Sequence, residues 1–448
     1  MKNFQQRRAA LIAQMQAAGG GIAIIPTAHE VMRNSDADYP YRHDSYFYYL
    51  SGFAEPEAVV VLVAGKDSTE SILFCREKNL EREIWDGFRY GPIAAAEAFG
   101  FDAAFPVESL DVEIPKLMAE MPNVFYSLGH DARTDARVQG WLTAVRAQAR
   151  AGVSAPAAIR ELRPLLNEMR LFKDATEIAS MQRAADIAGG AHARAMRMSR
   201  PGMHEYEIEA ELLHEFRRHG AEGPAYTSIV AAGANACVLH YRAGNAVMND
   251  GDLVLIDAGC EFDSYASDIT RTYPANGRFS QPQRELYDIV LAAQYAAIDA
   301  VKPGARFDHS HTAALHVLVQ GMLDTGLLDR AMVGNADDAI ASGAYRRFYM
   351  HRTGHWLGMD VHDVGDYRDS EAGAIGSERL SRILQPGMVL TVEPGLYVRP
   401  APEVPEKYWN IGIRIEDDVL VTPDGRHVLS AAAPKTVAEI EALMTHAP

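Results

Sequence analysis

Three histidines fall within twelve residues in His351-Arg352-Thr353-Gly354-His355-Trp356-Leu357-Gly358-Met359-Asp360-Val361-His362-Asp363, where two glycines free the backbone around them. A lone histidine in such a run reads as a satisfied core residue; three together favour a site. Acids form a second pattern. Gly251-Asp252-Leu253-Val254-Leu255-Ile256-Asp257-Ala258-Gly259 and Gly387-Met388-Val389-Leu390-Thr391-Val392-Glu393-Pro394-Gly395 share one order: glycine, an apolar run, an acid, then glycine two residues later. Each run therefore delivers one carboxylate, Asp257 or Glu393, at the end of a strand covered on both faces. An unpaired carboxylate there is costly, so a salt bridge, a cap or a cation must compensate it. Two acids in matching repeats favour the cation.

Asp268 follows Asp257 across a polar stretch of hairpin length, so the two aspartates are expected to face each other across an antiparallel ladder. Near the C-terminus Gly412, Arg414 and Glu416 alternate with Ile411, Ile413 and Ile415, which sends Arg414 and Glu416 to one face of a strand. The candidates are then Asp257, Asp268, Glu393 and Glu416, with one or more of His351, His355 and His362. Four carboxylates call for two divalent cations, and an oxygen-rich set with a single imidazole suits Mn²⁺ better than tetrahedral Zn²⁺. Two such ions ~3.5 to 4 Å apart can share a water, lower its pKa and polarise a carbonyl, which is hydrolytic chemistry.

The elements that must hold these residues can be read from the rest of the chain. At 448 residues it is long enough for two or three domains. Its 43 basic and 60 acidic residues give a net charge of −17, which disfavours nucleic acid and anionic membranes as partners. The three cysteines, Cys75, Cys237 and Cys260, form no Cys-x-x-Cys pair, so a reducing cytoplasm is the expected location. No continuous signal-peptide core follows Arg7 and Arg8, and the longest apolar run, Ala58 to Ala64, is far short of the ~18 to 20 residues that span a bilayer. The first third alternates β-rich runs (Ile22 to Ile25, Ala58 to Val63, Ser71 to Cys75) with helical patterns such as Ile93 to Phe99, which predicts an α/β domain. A long amphipathic helix is expected from about Asp174. The second domain carries a weak internal repeat, in which Arg200-Pro201-Gly202 and Lys302-Pro303-Gly304 each break two helical patterns. The expected domains are residues 1–168 and 169–448.

The stretch from His351 to Asp363 resembles the signature of the aminopeptidase P and prolidase family, and Asp257, Asp268, His355, Glu393 and Glu416 match that family's five metal ligands in order and context. Glu168 to Lys173, Asp250 to Thr272 and Leu384 to Leu396 are also similar to family segments. Tyr39-Pro40-Tyr41-Arg42 and Gly52-Phe53 to Val63 resemble the aminopeptidase P branch more than prolidase. The resemblance implies a creatinase-like α/β domain followed by a pita-bread catalytic domain with a pseudo-twofold repeat. It makes Asp257 a ligand of one metal, His355 and Glu393 ligands of the other, and Asp268 and Glu416 the bridges, with Glu393 also the general base. His240 and His362 match histidines that contact substrate and assist proton transfer, His351 one near the proline pocket, and Arg414 an active-site arginine. Tyr226, Tyr397 and Asp36 match positions near the active site. Trp85 matches a segment that reaches a neighbouring subunit's site, which implies a homo-oligomer, a dimer or tetramer. Arg352-Thr353-Gly354 stands where close bacterial relatives carry Gly-Leu-Ser, which bears on the pocket beside His351. The implied activity removes the N-terminal residue from peptides with proline second; prolidase, restricted to dipeptides, and a non-catalytic binding protein on the same fold are the alternatives.

Overall fold

The apolar runs of the first third become the middle of a six-stranded mixed sheet, in the order Ala103–Pro106, Thr69–Cys75, Val59–Ala64, Gly21–Pro26, Asn123–Phe125, Ala158–Arg160. Val59–Ala64 runs antiparallel to both its neighbours, and every one of its residues is buried, as a continuous β-branched run requires when both faces are covered. One face packs Ile22, Ile24, Val59 and Val61 on Leu110, Ile114, Val138, Trp141 and Val145 of helices Leu110–Met118 and Ala132–Arg146. The N-terminal helix Phe4–Ala17 buries Leu11, Ile12 and Met15 along one stripe. It also buries Arg8, whose guanidinium donates to the carbonyls of Leu50 at 2.9 Å and Phe99 at 3.0 Å.

The computed structural model describes residues 3–66, 68–369 and 380–445, and the chain divides into two compact units, Met1–Arg170 and Leu171–Pro448. The second unit is built twice from one plan. Helices Ala175–Met198 and Glu205–Arg218 precede the antiparallel sheet Ile229–Ala232, Leu253–Asp257, Thr270–Pro274; helices Gln281–Ala300 and Phe307–Asp324 precede the sheet Val389–Val392, Asp417–Thr422, Gly425–Val428. The two proline-glycine breaks separate the helices of each pair. Asp174 starts the first helix by accepting the N–H groups of Thr176 and Glu177 while Glu177 reaches back to its N–H. One apolar core runs through both halves, from Leu212 and Phe216 to Ile413 and Val419.

A two-stranded ribbon, Gly395–Val398 with Ile411–Arg414, packs Ile411–Arg414 against strands Leu253–Asp257 and Thr270–Pro274 of the first sheet. Here the structure departs from the alternating strand expected through Glu416. The strand stops at Arg414 and a new one begins at Asp417, because the chain leaves its pairing with Gly395–Val398 and joins Val389–Val392. At the break Glu416 donates its N–H to the Thr270 carbonyl at 3.0 Å, which ties the second half to the first.

Candidate metal centre

Asp257 is the last residue of its strand and pairs with Thr270. The intervening hairpin requires Gly259, where a Cβ would run into the Ser267 carbonyl. Asp268, two residues before Thr270, is thereby brought near Asp257, and the Tyr226 hydroxyl lies 2.6 Å from Asp257 Oδ1 and 2.6 Å from Asp268 Oδ1. A hydroxyl has one proton, so only one of these contacts is a donation to a carboxylate at a time. The two carboxylates meet at this hydroxyl, but not face to face across the ladder as the sequence suggested: the partner of Asp257 is Thr270, and Asp268 lies just before that residue's strand begins.

From the other half, Glu393 follows the strand Val389–Val392 directly and donates its N–H to the Thr353 carbonyl at 2.8 Å. The same segment places His355, whose N–H meets Thr391 Oγ1 at 3.2 Å and whose Nδ1 lies 2.9 Å from the Trp356 carbonyl. With Nδ1 donating to that carbonyl, Nε2 is turned to the acids, 3.4 Å from Asp268 Oδ2 and 3.9 Å from Glu393 Oε1. Asp268, His355 and Glu416, all buried, offer ligand atoms within 4.8 Å of one another. Glu416 accepts from Thr270 Oγ1 at 2.6 Å.

Arg414 is 3% exposed and binds three ways: Nη2 to Asp257 Oδ2 at 2.6 Å, Nη1 to the Tyr397 hydroxyl at 2.9 Å, and Nε to Thr270 Oγ1 at 3.2 Å. The Tyr397 hydroxyl also lies 2.9 Å from His351 Nε2, so Tyr397 joins His351 to the arginine. His362 is exposed and lays its ring on that of His355, centroids 3.9 Å apart. His240 is exposed just past the turn Gly233–Cys237. Asp36, in the turn between Met32–Asn34 and Ala37–Asp38, and Trp85, on helix Leu80–Asp86, belong to the first unit and are exposed. The clustered acids, histidines, Arg414, Tyr226 and Tyr397 all belong to the second.

The electrostatics show what the cluster lacks. Burial pushes the Glu393 carboxyl up to about 7, and burial together with Asp268, Glu393 and Asp257 pushes Glu416 well above the carboxylate range. Burial opposes a charge on His355, yet Asp268 and Glu393 outweigh it and raise the imidazole to about 9. His351, half-buried and near Arg414, falls to about 4 and stays neutral. One guanidinium and one imidazolium do not balance four acids, which is why Glu393 and Glu416 are driven up, and oxygen donors with one oriented imidazole nitrogen fit divalent cations.

Two contributors escaped the sequence reading. Thr270 binds both Glu416 and Arg414, and its place two residues after Asp268 on one strand face was the available signal. Asp418, 1% exposed, accepts the Asp268 N–H at 3.2 Å; nothing in the sequence marked it out from its acidic neighbours.

Comparison with known proteins gives a match to metallopeptidase family M24 over residues 179–423 and to the aminopeptidase P N-terminal domain over residues 4–126. The chain is 47% identical to the Xaa-Pro aminopeptidase of Escherichia coli (strain K12) over 447 residues, covering 100% of this chain and 98% of that protein. The structure of Pseudomonas aeruginosa aminopeptidase PepP superposes with a TM-score of 0.94 at 50% identity, over 99% of this chain and 98% of that one. Zinc-substituted E. coli aminopeptidase P in complex with product gives 0.94 at 46% identity, over 100% and 98%.

Proposed function

The chain belongs to metallopeptidase family M24, and from that premise we propose that it is a metalloaminopeptidase that hydrolyses the N-terminal Xaa-Pro bond of peptides. The observation that carries this reading is the meeting of Asp268, His355 and Glu416 within 4.8 Å, beside Glu393 and Asp257, in a pita-bread unit whose relatives over the full chain are Xaa-Pro aminopeptidases. An Xaa-Pro amide has no N–H and presents a ring against the scissile bond, so ordinary aminopeptidase pockets fit it poorly.

In this reading Asp257 would hold one cation and His355 and Glu393 the other, with Asp268 and Glu416 as ligands shared between them. Two divalent cations, when bound, supply Lewis acidity and an acidified water for attack on the peptide carbonyl. Glu393 takes the proton released in that attack at its carboxylate. Arg414, anchored by Tyr397, fixes the orientation of Asp257, and Tyr226 holds the two aspartates in register. His240 and His362 stand exposed beside His355 and His351 to bind substrate, and His351, kept neutral by burial, borders the proline ring. For Asp36, and for Trp85 toward a neighbouring subunit's site, the family resemblance is the support.

Mn²⁺ is the metal that an oxygen-rich donor set favours. A homo-oligomer is supported by Leu80, Ile84, Trp85 and Phe88, which are 66–83% exposed, around a helix that buries none of its residues. Three buried free thiols support a cytoplasmic location, and no helix among the described residues is long and apolar enough to cross a membrane.

The test compares Xaa-Pro dipeptides with Xaa-Pro-Yaa tripeptides on enzyme reconstituted with Mn²⁺. Tripeptides are expected to be cleaved at least as well as dipeptides. Cleavage of dipeptides alone would make the enzyme a prolidase, and hydrolysis of neither would leave a binding protein.

A further inference from the structure

A cavity of about 400 Å³ opens beside helix Phe307–Asp324, and none of the expected metal ligands lines it. That volume is within the range of small-molecule sites. Its lining carries two guanidinium groups, Arg352 and Arg368, against one carboxylate, Asp308. Arg352 has neither an ion pair nor a side-chain hydrogen bond among the described residues. Phe307 and Leu390 supply apolar wall.

Ser310 marks the cavity as a site rather than a packing gap. It lines the cavity, is 4% exposed, and its buried hydroxyl has no hydrogen-bond partner among the described residues. A helical serine normally satisfies its hydroxyl on the carbonyl one turn earlier, and this one does not, which leaves it open to a partner from outside the protein. The adjoining His311 has Nδ1 2.8 Å from Thr353 Oγ1, and burial lowers its pKa to about 4, so the ring is neutral and its Nε2 is free among the described residues. A hydroxyl, an imidazole nitrogen and an unpaired guanidinium around an apolar wall describe a receptor for one oxyanion carried on an apolar body.

We propose that this cavity binds a small organic carboxylate, with the carboxylate at Arg352 and Ser310 Oγ and the apolar body on Phe307 and Leu390. The single acid in the lining, Asp308, disfavours a dianion such as phosphate.

Calorimetric titration of the full chain with N-acetyl-L-leucine tests this, since that probe has no free amine and no proline and is no substrate for the activity proposed above. Saturable binding is expected both in Mn²⁺-loaded enzyme and after chelation, because the site does not use the metal centre. Arg352→Gln, at an exposed position, should weaken it about tenfold or more, and Ser310→Leu, which fills the cavity, should remove it. Absence of saturable binding, binding lost on chelation, binding unchanged in Arg352→Gln, or equal affinity for inorganic phosphate would each overturn the proposal.

Discussion

Glu416 and Asp417 are neighbours in the chain and equally buried, at 2% and 0% exposure, but the fold surrounds them differently. Asp417 accepts Arg271 Nη2 at 2.7 Å and Lys435 Nζ, Gln294 Nε2 and Ser430 Oγ at 2.6 Å each. Burial works against its charge, yet Arg271 and Lys435 hold the carboxyl down at about 2. Glu416 has one such partner, Thr270 Oγ1, and three acids around it, and it is driven the other way. Burial alone therefore does not identify a functional acid. What separates the two is compensation: Asp417 finds its cations in the chain, whereas Glu416 faces a cluster that must recruit them.

The comparison breaks most visibly if the cluster acids prove structural. Asp257→Asn and Glu393→Gln remove one charge each from a site crowded with like charge, so both variants should fold while turnover of an Xaa-Pro peptide falls more than about 10³-fold. Circular dichroism and elemental analysis provide the check. Collapse of both variants, or full activity in chelated enzyme shown to hold no metal, would place these acids in the same class as Asp417.

The converse substitution should act on stability. Asp417→Asn strands Arg271, which is 0% exposed, beside a neutral amide, and breaking a buried pair from one side costs about 3–5 kcal/mol. Urea unfolding should show that loss while kcat per folded molecule stays near wild type. A large fall in kcat at unchanged stability would show that Asp417 serves the reaction.

Much of this contrast was legible in advance, and the remainder was not for a definite reason. Asp257 and Glu393 announce themselves because a carboxylate closing an unbroken apolar run has no local partner. His355 is marked by the spacing of its segment. Glu416-Asp417-Asp418, by contrast, is three acids in a row, and what each one meets is decided by Arg271, Lys435, Thr270 and Asp268, which tertiary structure brings from well over a hundred positions away or from another turn of the chain. The strand break at Ile415 has the same origin: alternation through Glu416 is intact in sequence, and only the exchange of pairing partners ends the strand.

The histidines sharpen the comparison within the site. His355 is turned by the Trp356 carbonyl toward the acids, whereas His362 only covers its ring from the solvent side. His355→Ala should therefore lose metal from one position. His362→Ala should keep two metals and lower kcat ~10²- to 10³-fold, about 3 to 4 kcal/mol, as the loss of a single donor or proton-transfer group does. A nearly active His362→Ala, or one that empties a metal position, would reverse this division.

The smallest effect belongs to a third kind of buried group, one that avoids charge altogether. His192 is 0% exposed, with Nε2 2.9 Å from the Ala258 carbonyl and Nδ1 without a hydrogen-bond partner among the described residues. Burial first, and Arg271 second, lower its pKa from 6.5 to about 4. The folded pKa lies below the unfolded one, so as pH falls the unfolded chain takes up the proton first. Stability present above pH ~6.5 is then lost progressively toward pH ~4, amounting to about 2 kcal/mol by pH ~5. His192→Gln keeps a donor for the Ala258 carbonyl and cannot titrate, so its urea midpoint should fall less than that of wild type between pH ~7.5 and ~5, by about that amount. Parallel pH profiles for the two proteins would mean that the imidazole is protonated inside the fold, with the carbonyls of Ala258 and Ile269 and the charge of Asp268 outweighing burial.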